Sequence, residues 1–302
     1  RGEREGEAAL PDRLRRMLAH AAELVADYRA MERVPRDFLQ AELDEAARIE
    51  ADADRACAEP DGAPAWERFC RAYVAACRLE ARVALANPLL DFDSLLVVRR
   101  GAASPALGLP QNWQSNCALP AAGFDDEIDL LTLAPGGQLA RLYRPARPSF
   151  VGDVDLRFDA ERLLFSSIGD NGRWQVFEIG IDGTGLRQVT PGDEPDVDSY
   201  DACYLPGGGI IFSSTASFAA VPCVNGSTAV ANLYRMDARG GAIRQLCFDQ
   251  EHNWCPTVME NGRVLYLRWQ YTDTPHAHDR LLFHMNPDGT EQLEFYHSNS
   301  YW

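Results

Sequence analysis

The chain has 302 residues, 46% of them hydrophobic, with 45 acidic side chains against 29 basic ones and a net charge of −16. This length supports two domains with cores of their own, and the acidity argues against nucleic acid as a partner, because phosphate neutralisation needs clustered cations. No run of about 18 apolar residues is present, so no membrane span is predicted.

Residues 1–86 carry 18 acids and 14 arginines, and residues 87–302 carry 27 acids and 15 arginines, so the acidity is concentrated in the second part. The first part reads as helical. Asp12 follows Pro11 as a candidate N-cap, and Leu14, Met17, Leu18, Ala21, Leu24, Val25, Tyr28 and Met31 recur at helical spacing. Pro35 breaks the pattern, and a second helix is expected to reach about Cys57. EPDGAP (59–64) reads as a turn. A third helix is predicted to put Trp66, Phe69, Cys70, Tyr73, Val74 and Cys77 on one core-facing stripe.

Residues 87–125 read as a transition: an apolar strand within 89–100, then a long loop over 101–123 rich in Gly, Pro, Ser and Asn. Loops this long inside a compact protein are usually functional or disordered. From 126 to 302 the pattern is β. Residues 127–145 form a hairpin around a Pro-Gly-Gly turn. Residues 163–190 and 208–248 then repeat one pattern, with a weaker copy at 263–296. Each copy has an apolar strand, a loop, a second strand, a tight Asp/Gly turn and a short third strand. The turns fall at 181–185, 237–241 and 286–290. Gly there supplies positive φ, and Asp or Asn bonds its own backbone. Repeats of this size point to β-propeller blades, three to four of them, which is too few to count on a closed ring. The chain begins at Arg1 and stops at Trp302 after an apparent strand, and is expected to be a piece of a larger protein.

Residues 200–302, with YDACYLPGGGIIFSSTASF, IRQLCFDQEHNWCPTV and TDTPHAHDRLLFHMNPDGTEQ, resemble the middle, propeller domain of the hydrazine synthase α-subunit-like proteins, a family prominent in planctomycetes. GLPQNWQSN (108–116), FVGDVDLRFD (150–159) and GRWQVFEI (172–179) extend the resemblance to about residues 88–302, and the DGTGLRQVT-type turns resemble TolB-type repeats. The resemblance implies a secreted or periplasmic protein. In hydrazine synthase itself it implies a haem held by CxxCH in a domain after the propeller, near a zinc whose ligands include propeller side chains. This chain contains no CxxCH. The haem domain then lies downstream or the protein is a non-haem relative, and the likeness transfers as fold rather than activity.

Two constellations carry candidate chemistry. His252 and Cys255, with Asp249 and Glu251 beside them, and Asp273, His276, His278 and Asp279 place imidazole, thiolate and carboxylate ligands suited to zinc or copper in two adjacent segments. Equally, these residues fit loops bonding exposed backbone, with Cys255 buried. Asp193, Asp196 and Asp198, in a run with Glu194 and Asp201, offer calcium as an alternative. Asp153 and Asp155 occupy the matching place one repeat earlier, which favours a repeated structural role, such as tying a strand to backbone amides. The eight cysteines (Cys57, Cys70, Cys77, Cys117, Cys203, Cys223, Cys247 and Cys255) form no CxxC pair. Cys70 and Cys77 are expected as small core residues, and the last four β-part cysteines could pair under oxidising conditions. No GxSxG, HExxH or phosphate-cradling Gly loop occurs.

The sequence thus predicts a mainly β chain: part of a TolB-like propeller preceded by an α-helical region. Its expected role is a scaffold or binding module for a protein partner or for downstream domains of its own chain. The alternative is the front part of a haem- or metal-dependent redox enzyme.

Overall fold

In a computed structural model, residues 10–59, 62–110, 119–134, 137–221, 228–250, 252–269 and 280–296 are described. Three helices come first: α1 (Leu10–Ala30), α2 (Gln40–Ala58) and α3 (Ala63–Leu85). Asp12 lies in the first turn of α1, where its charge favours the helix dipole. The break at Pro35 ends with Leu39 in the left-handed region (φ 57°) immediately before α2. Leu14, Leu18, Ala21, Val25 and Tyr28 of α1 meet Ile49, Ala53 and Ala56 of α2 and Phe69, Ala72, Ala76, Leu79 and Val83 of α3 in one core.

The core face of α3 differs from the expected stripe. Ala72, Ala76 and Leu79 are buried, whereas Trp66 and Val74 are 46% and 47% exposed and Cys77 is exposed. Small alanines let helices approach closely, so hydropathy alone ranks this face below the larger side chains beside it. Cys77 is not a core residue; its Sγ lies 3.7 Å from the Met17 sulfur, and Cys70 is half-buried.

Four antiparallel sheets follow. The first holds β1 (Ser94–Arg99), β2 (Glu127–Thr132) and β3 (Leu139–Tyr143) in the order β1-β2-β3. The second runs β4 (Gly152–Leu156), β5 (Arg162–Ile168), β6 (Trp174–Gly180) and β7 (Arg187–Gln188). The third runs β8 (Ser199–Tyr204), β9 (Ile210–Ser214), β10 (Asn232–Met236) and β11 (Arg244–Gln245). The fourth runs β12 (Asn253–Val258), β13 (Val264–Arg268), β14 (Leu281–Met285) and β15 (Leu293–Tyr296). Each of the last three is a meander in chain order. The repeated copies therefore account for strands two to four of each sheet, and a further strand precedes each copy. The chain divides into two compact units, Arg1–Leu96 with Leu130–Ala140 and Val97–Asp129 with Arg141–Trp302.

Consecutive sheets stack through apolar layers. Leu164, Val176 and Val189 of the second sheet pack on Ala202, Ile210 and Phe212 of the third. On the third sheet's other face, Leu205, Ile211 and Leu233 pack on Val264, Tyr266, Phe283 and Met285 of the fourth. First strands neighbour one another, β4 beside β8 and β8 beside β12, so they gather on one side of the stack. At the other edge, the Asp/Gly turns dock on the preceding sheet. Gly240, at φ +85°, brings its backbone so close that a Cβ would sit 2.5 Å from Val189 O. Arg187 Nη2 donates to Ala238 O at 2.8 Å across this joint, and Arg244 Nη2 donates to Asp288 O at 3.0 Å across the next. The turn aspartates bond their own backbone: Asp237 Oδ1 accepts from Arg239 N–H and Gly241 N–H at 2.8 and 2.9 Å.

Candidate functional site

The three first strands share one irregularity. β4 is bulged between Gly152 and Asp155, β8 between Tyr200 and Ala202, and β12 between Trp254 and Thr257. Each bulge holds a residue in the left-handed region: Asp153 at φ 50°, Asp201 at φ 52° and Cys255 at φ 52°. Such a conformation costs a side-chain-bearing residue about 1–2 kcal/mol and persists only where its surroundings enforce it. A bulge also re-aims its side chain out of the ladder's alternation. The repeat thereby presents two carboxyls and a thiol from neighbouring strands.

These groups are joined by hydrogen bonds that run from sheet to sheet. Cys255 N–H donates to Asp201 Oδ2 at 2.7 Å. Asp201 N–H donates to Ser166 Oγ at 2.8 Å. Along the same strands, Tyr204 N–H donates to Asp155 Oδ2 at 2.9 Å. Two bulge amides are thus satisfied by side chains of the preceding sheet, Cys255 N–H by the Asp201 carboxyl and Asp201 N–H by the Ser166 hydroxyl.

Asp153, Asp201 and Cys255 are each half-buried. Burial, reinforced by the charge of Asp153, pushes the Asp201 carboxyl up to about 7. Burial also raises Asp153, against the pull of Ser166 and Arg100. Two carboxyls in one desolvated neighbourhood resist double ionisation, so the pair retains a proton close to neutral pH. Burial and then Asp201 raise the Cys255 thiol strongly, which keeps it protonated and weakly nucleophilic.

Three residues before the bulge, a second position repeats. Asp198 Oδ1 accepts the Trp174 N–H at 3.0 Å, at the start of β6. His252 Nδ1 accepts the Ala231 N–H at 3.1 Å, immediately before β10. Both side chains cap the third strand of the preceding sheet. His252 is fully buried and stacks on Trp254 with ring centroids 4.2 Å apart. Burial, and then the Arg280 charge, hold its pKa down at about 3. With Nδ1 accepting, the neutral ring carries its proton on Nε2, which has no hydrogen-bond partner among the described residues. The Arg280 guanidinium lies over the rings of Trp254 and Trp269, 5.3 and 5.4 Å from their centroids.

Of the residues singled out for zinc or copper, His252 and Cys255 thus occupy adjoining positions of the repeat, while Asp273, His276 and His278 lie outside the described residues. Glu251 and Asp279 do too. Of the calcium candidates, Asp193 and Asp196 are exposed, and Asp198 is buried against the Trp174 amide. Among the described residues no group of three or more His, Cys, Asp and Glu side chains is arranged to hold a metal. Haem attachment through CxxCH has no residues to use in this sequence. The described residues therefore do not by themselves make a zinc, calcium or haem centre. Asp153, Asp201 and Ser166 were not assembled from sequence as one cluster. The signal that marks them is a spacing: Asp198–Asp201 and His252–Cys255 are both three apart, and Phe150–Asp153 repeats it.

No protein-family model matches the sequence, and no curated protein resembles it in sequence. Solved structures do resemble it. Hydrazine synthase from Kuenenia stuttgartiensis is 18% identical over 68% of this chain and 32% of its own, with a TM-score of 0.52. TolB from Acinetobacter baumannii is 18% identical over 54% of this chain and 35% of its own, at 0.40. The β-propeller domain of the Trilobed protease from Pyrococcus furiosus is 17% identical over 68% and 50%, also at 0.40. The chain spans about a third of the hydrazine synthase chain it matches. At this identity the likeness is one of fold: stacked four-stranded meanders of the propeller kind.

Proposed function

We propose that the chain is a propeller-type binding module of a larger secreted or periplasmic protein. Its three four-stranded sheets, with the three-stranded one, are consecutive blades, and further blades complete the ring. The observation that carries this reading is the repeat of the first-strand bulge, with Asp153, Asp201 and Cys255 at one register and amide ties between successive sheets. A module built this way offers a half-buried acidic cluster to a basic group of a protein partner or of other domains of the same polypeptide. The outer face of the fourth sheet is where the next blade packs. Leu293, Phe295 and Tyr296 there are 52%, 51% and 69% exposed, which supports this reading.

A second reading is the front part of a metal-dependent redox protein. It is favoured by one contact, the Asp201 carboxyl on the Cys255 N–H, which sets a carboxyl and a thiol-bearing residue side by side. That pair is not a complete ligand set, and the reading needs Asp273, His276 and His278 to complete it. Elemental analysis of the purified chain and its Cys255→Ala variant separates the two. Metal well below one per chain in both supports the binding module. Stoichiometric zinc or copper that Cys255→Ala removes would establish the second reading instead.

A further inference from the structure

Within the helical unit, the face between α2 and α3 has the form of a helix seat. Two cavities of about 600 and 440 Å³ run along the groove between α2 and α3 and share Arg71 and Ala75 in their lining. Their α2 wall extends from Glu45 to Glu59, the residue that caps the helix C-terminus, a span of about 21 Å. The floor is made of small residues, Ala72 and Ala75, with half-buried Cys70 beside them. Small residues at a groove floor let another helix approach closely.

The groove walls are charged, and most of those charges are already matched. Arg82 pairs with Glu45, Arg68 with Glu59, and Arg55 with Asp52. Arg71 and Arg78 have no acidic partner among the described residues and are exposed on α3. They lie seven residues apart, two turns on the same face, about 10.5 Å along the axis. On a chain of net charge −16, two unmatched cations flanking the exposed Val74 are a local reversal of sign.

We infer that this groove receives an amphipathic helix of a protein partner that carries acidic side chains seven residues apart, paired with Arg71 and Arg78, over a small apolar face. The partner helix completes a four-helix arrangement. Its carboxylates meet guanidinium groups at the groove's open side, where charge sets orientation and specificity more than raw affinity.

The test uses the full chain and a 16-residue helical peptide with Ala and Leu on one face and Glu at two positions seven apart. A second peptide has Lys at those two positions. The readout is the rate of Cys70 alkylation by iodoacetamide, followed by mass spectrometry, with exposed Cys57 and Cys77 as internal references. The Glu peptide is expected to slow Cys70 at least several-fold, leave Cys57 and Cys77 unchanged, and lose its effect in an Arg71→Glu, Arg78→Glu variant. Arg13→Glu with Arg16→Glu, on the exposed side of α1, should retain protection. Failure of the Glu peptide to protect, or equal protection by the Lys peptide, overturns the proposal. So does protection of Cys70 by raising the concentration of the chain alone, which would make a second copy the occupant.

Discussion

Asp201 accepts the backbone N–H of Cys255 across two sheets at 2.7 Å, and both residues sit in left-handed bulges of the first strands of their sheets. One carboxyl therefore holds a strained position in the next repeat while being largely withdrawn from solvent itself. The same side chain is both the architectural tie and the most perturbed acid of the cluster.

The proton on Asp201 makes stability depend on pH with a definite sign. Its folded pKa of about 7 lies above the ordinary aspartate value, so the folded state binds more protons across that interval. This contribution is fully present below about pH 4 and is lost as pH rises through 7, by at most roughly 4 kcal/mol. Asp201→Asn retains an acceptor for Cys255 N–H and removes the titration. It is expected to be more stable than wild type at pH 8 and to flatten this limb in urea denaturation. Asp201→Ala should instead lose about 1–3 kcal/mol at pH 5, where the acceptor matters and the charge does not.

His252 acts in the opposite sense. Its folded pKa of about 3 lies below the ordinary histidine value, so its contribution is present above about pH 6.5 and is lost as pH falls toward 3. His252→Phe keeps the stack on Trp254 but leaves the buried Ala231 N–H without its acceptor. The expected outcome is a loss of about 1–3 kcal/mol at pH 7 with a shallower acid limb, read by urea denaturation across pH.

Two positive-φ turn glycines, Gly240 and Gly208, give a matched pair of substitutions. Gly240→Ala adds a methyl 2.5 Å from Val189 O at φ +85°, whereas Gly208→Ala, at φ +84°, meets nothing within 4 Å. Gly208→Ala is expected to cost about 1–2 kcal/mol from backbone conformation alone. Gly240→Ala should cost roughly 3 kcal/mol or more, because the sheet-to-sheet joint must open. Equal midpoints in urea would show that the joint is not closed as described.

The outer face of the fourth sheet gives an association test. With Phe295 and Tyr296 exposed there, the chain alone is expected to self-associate in light scattering, and Phe295→Glu to reduce this. A monodisperse wild-type monomer would contradict an open blade face.

The turns were legible in the sequence because Asp-Gly chemistry is local: Asp182, Asp237 and Asp288 each bond the amide two residues on. The strands before them were legible as short apolar runs. The first strand of each sheet was harder to see, because a bulge at Asp153, Asp201 or Cys255 breaks the period-two alternation that marks a strand. The core face of α3 was misphased because Ala72 and Ala76 are small. As for the site, acid and imidazole chemistry was visible residue by residue in Asp198, Asp201, His252 and Cys255. That Asp198 and His252 cap amides of the preceding sheet, and that Asp201 accepts the Cys255 amide of the following one, are long-range relations, and only the shared three-residue spacing hints at them.

The most direct measurement is a side-chain carboxyl NMR titration of Asp201, assigned by comparison with Asp201→Asn. A midpoint near 7 that falls toward the ordinary aspartate value in Asp153→Asn is the expected result, because removing the neighbouring charge relieves part of the shift. A midpoint in the ordinary carboxylate range in the wild-type chain would mean that Asp201 is solvated and unpaired, and would contradict the first-strand cluster on which the binding-module reading rests.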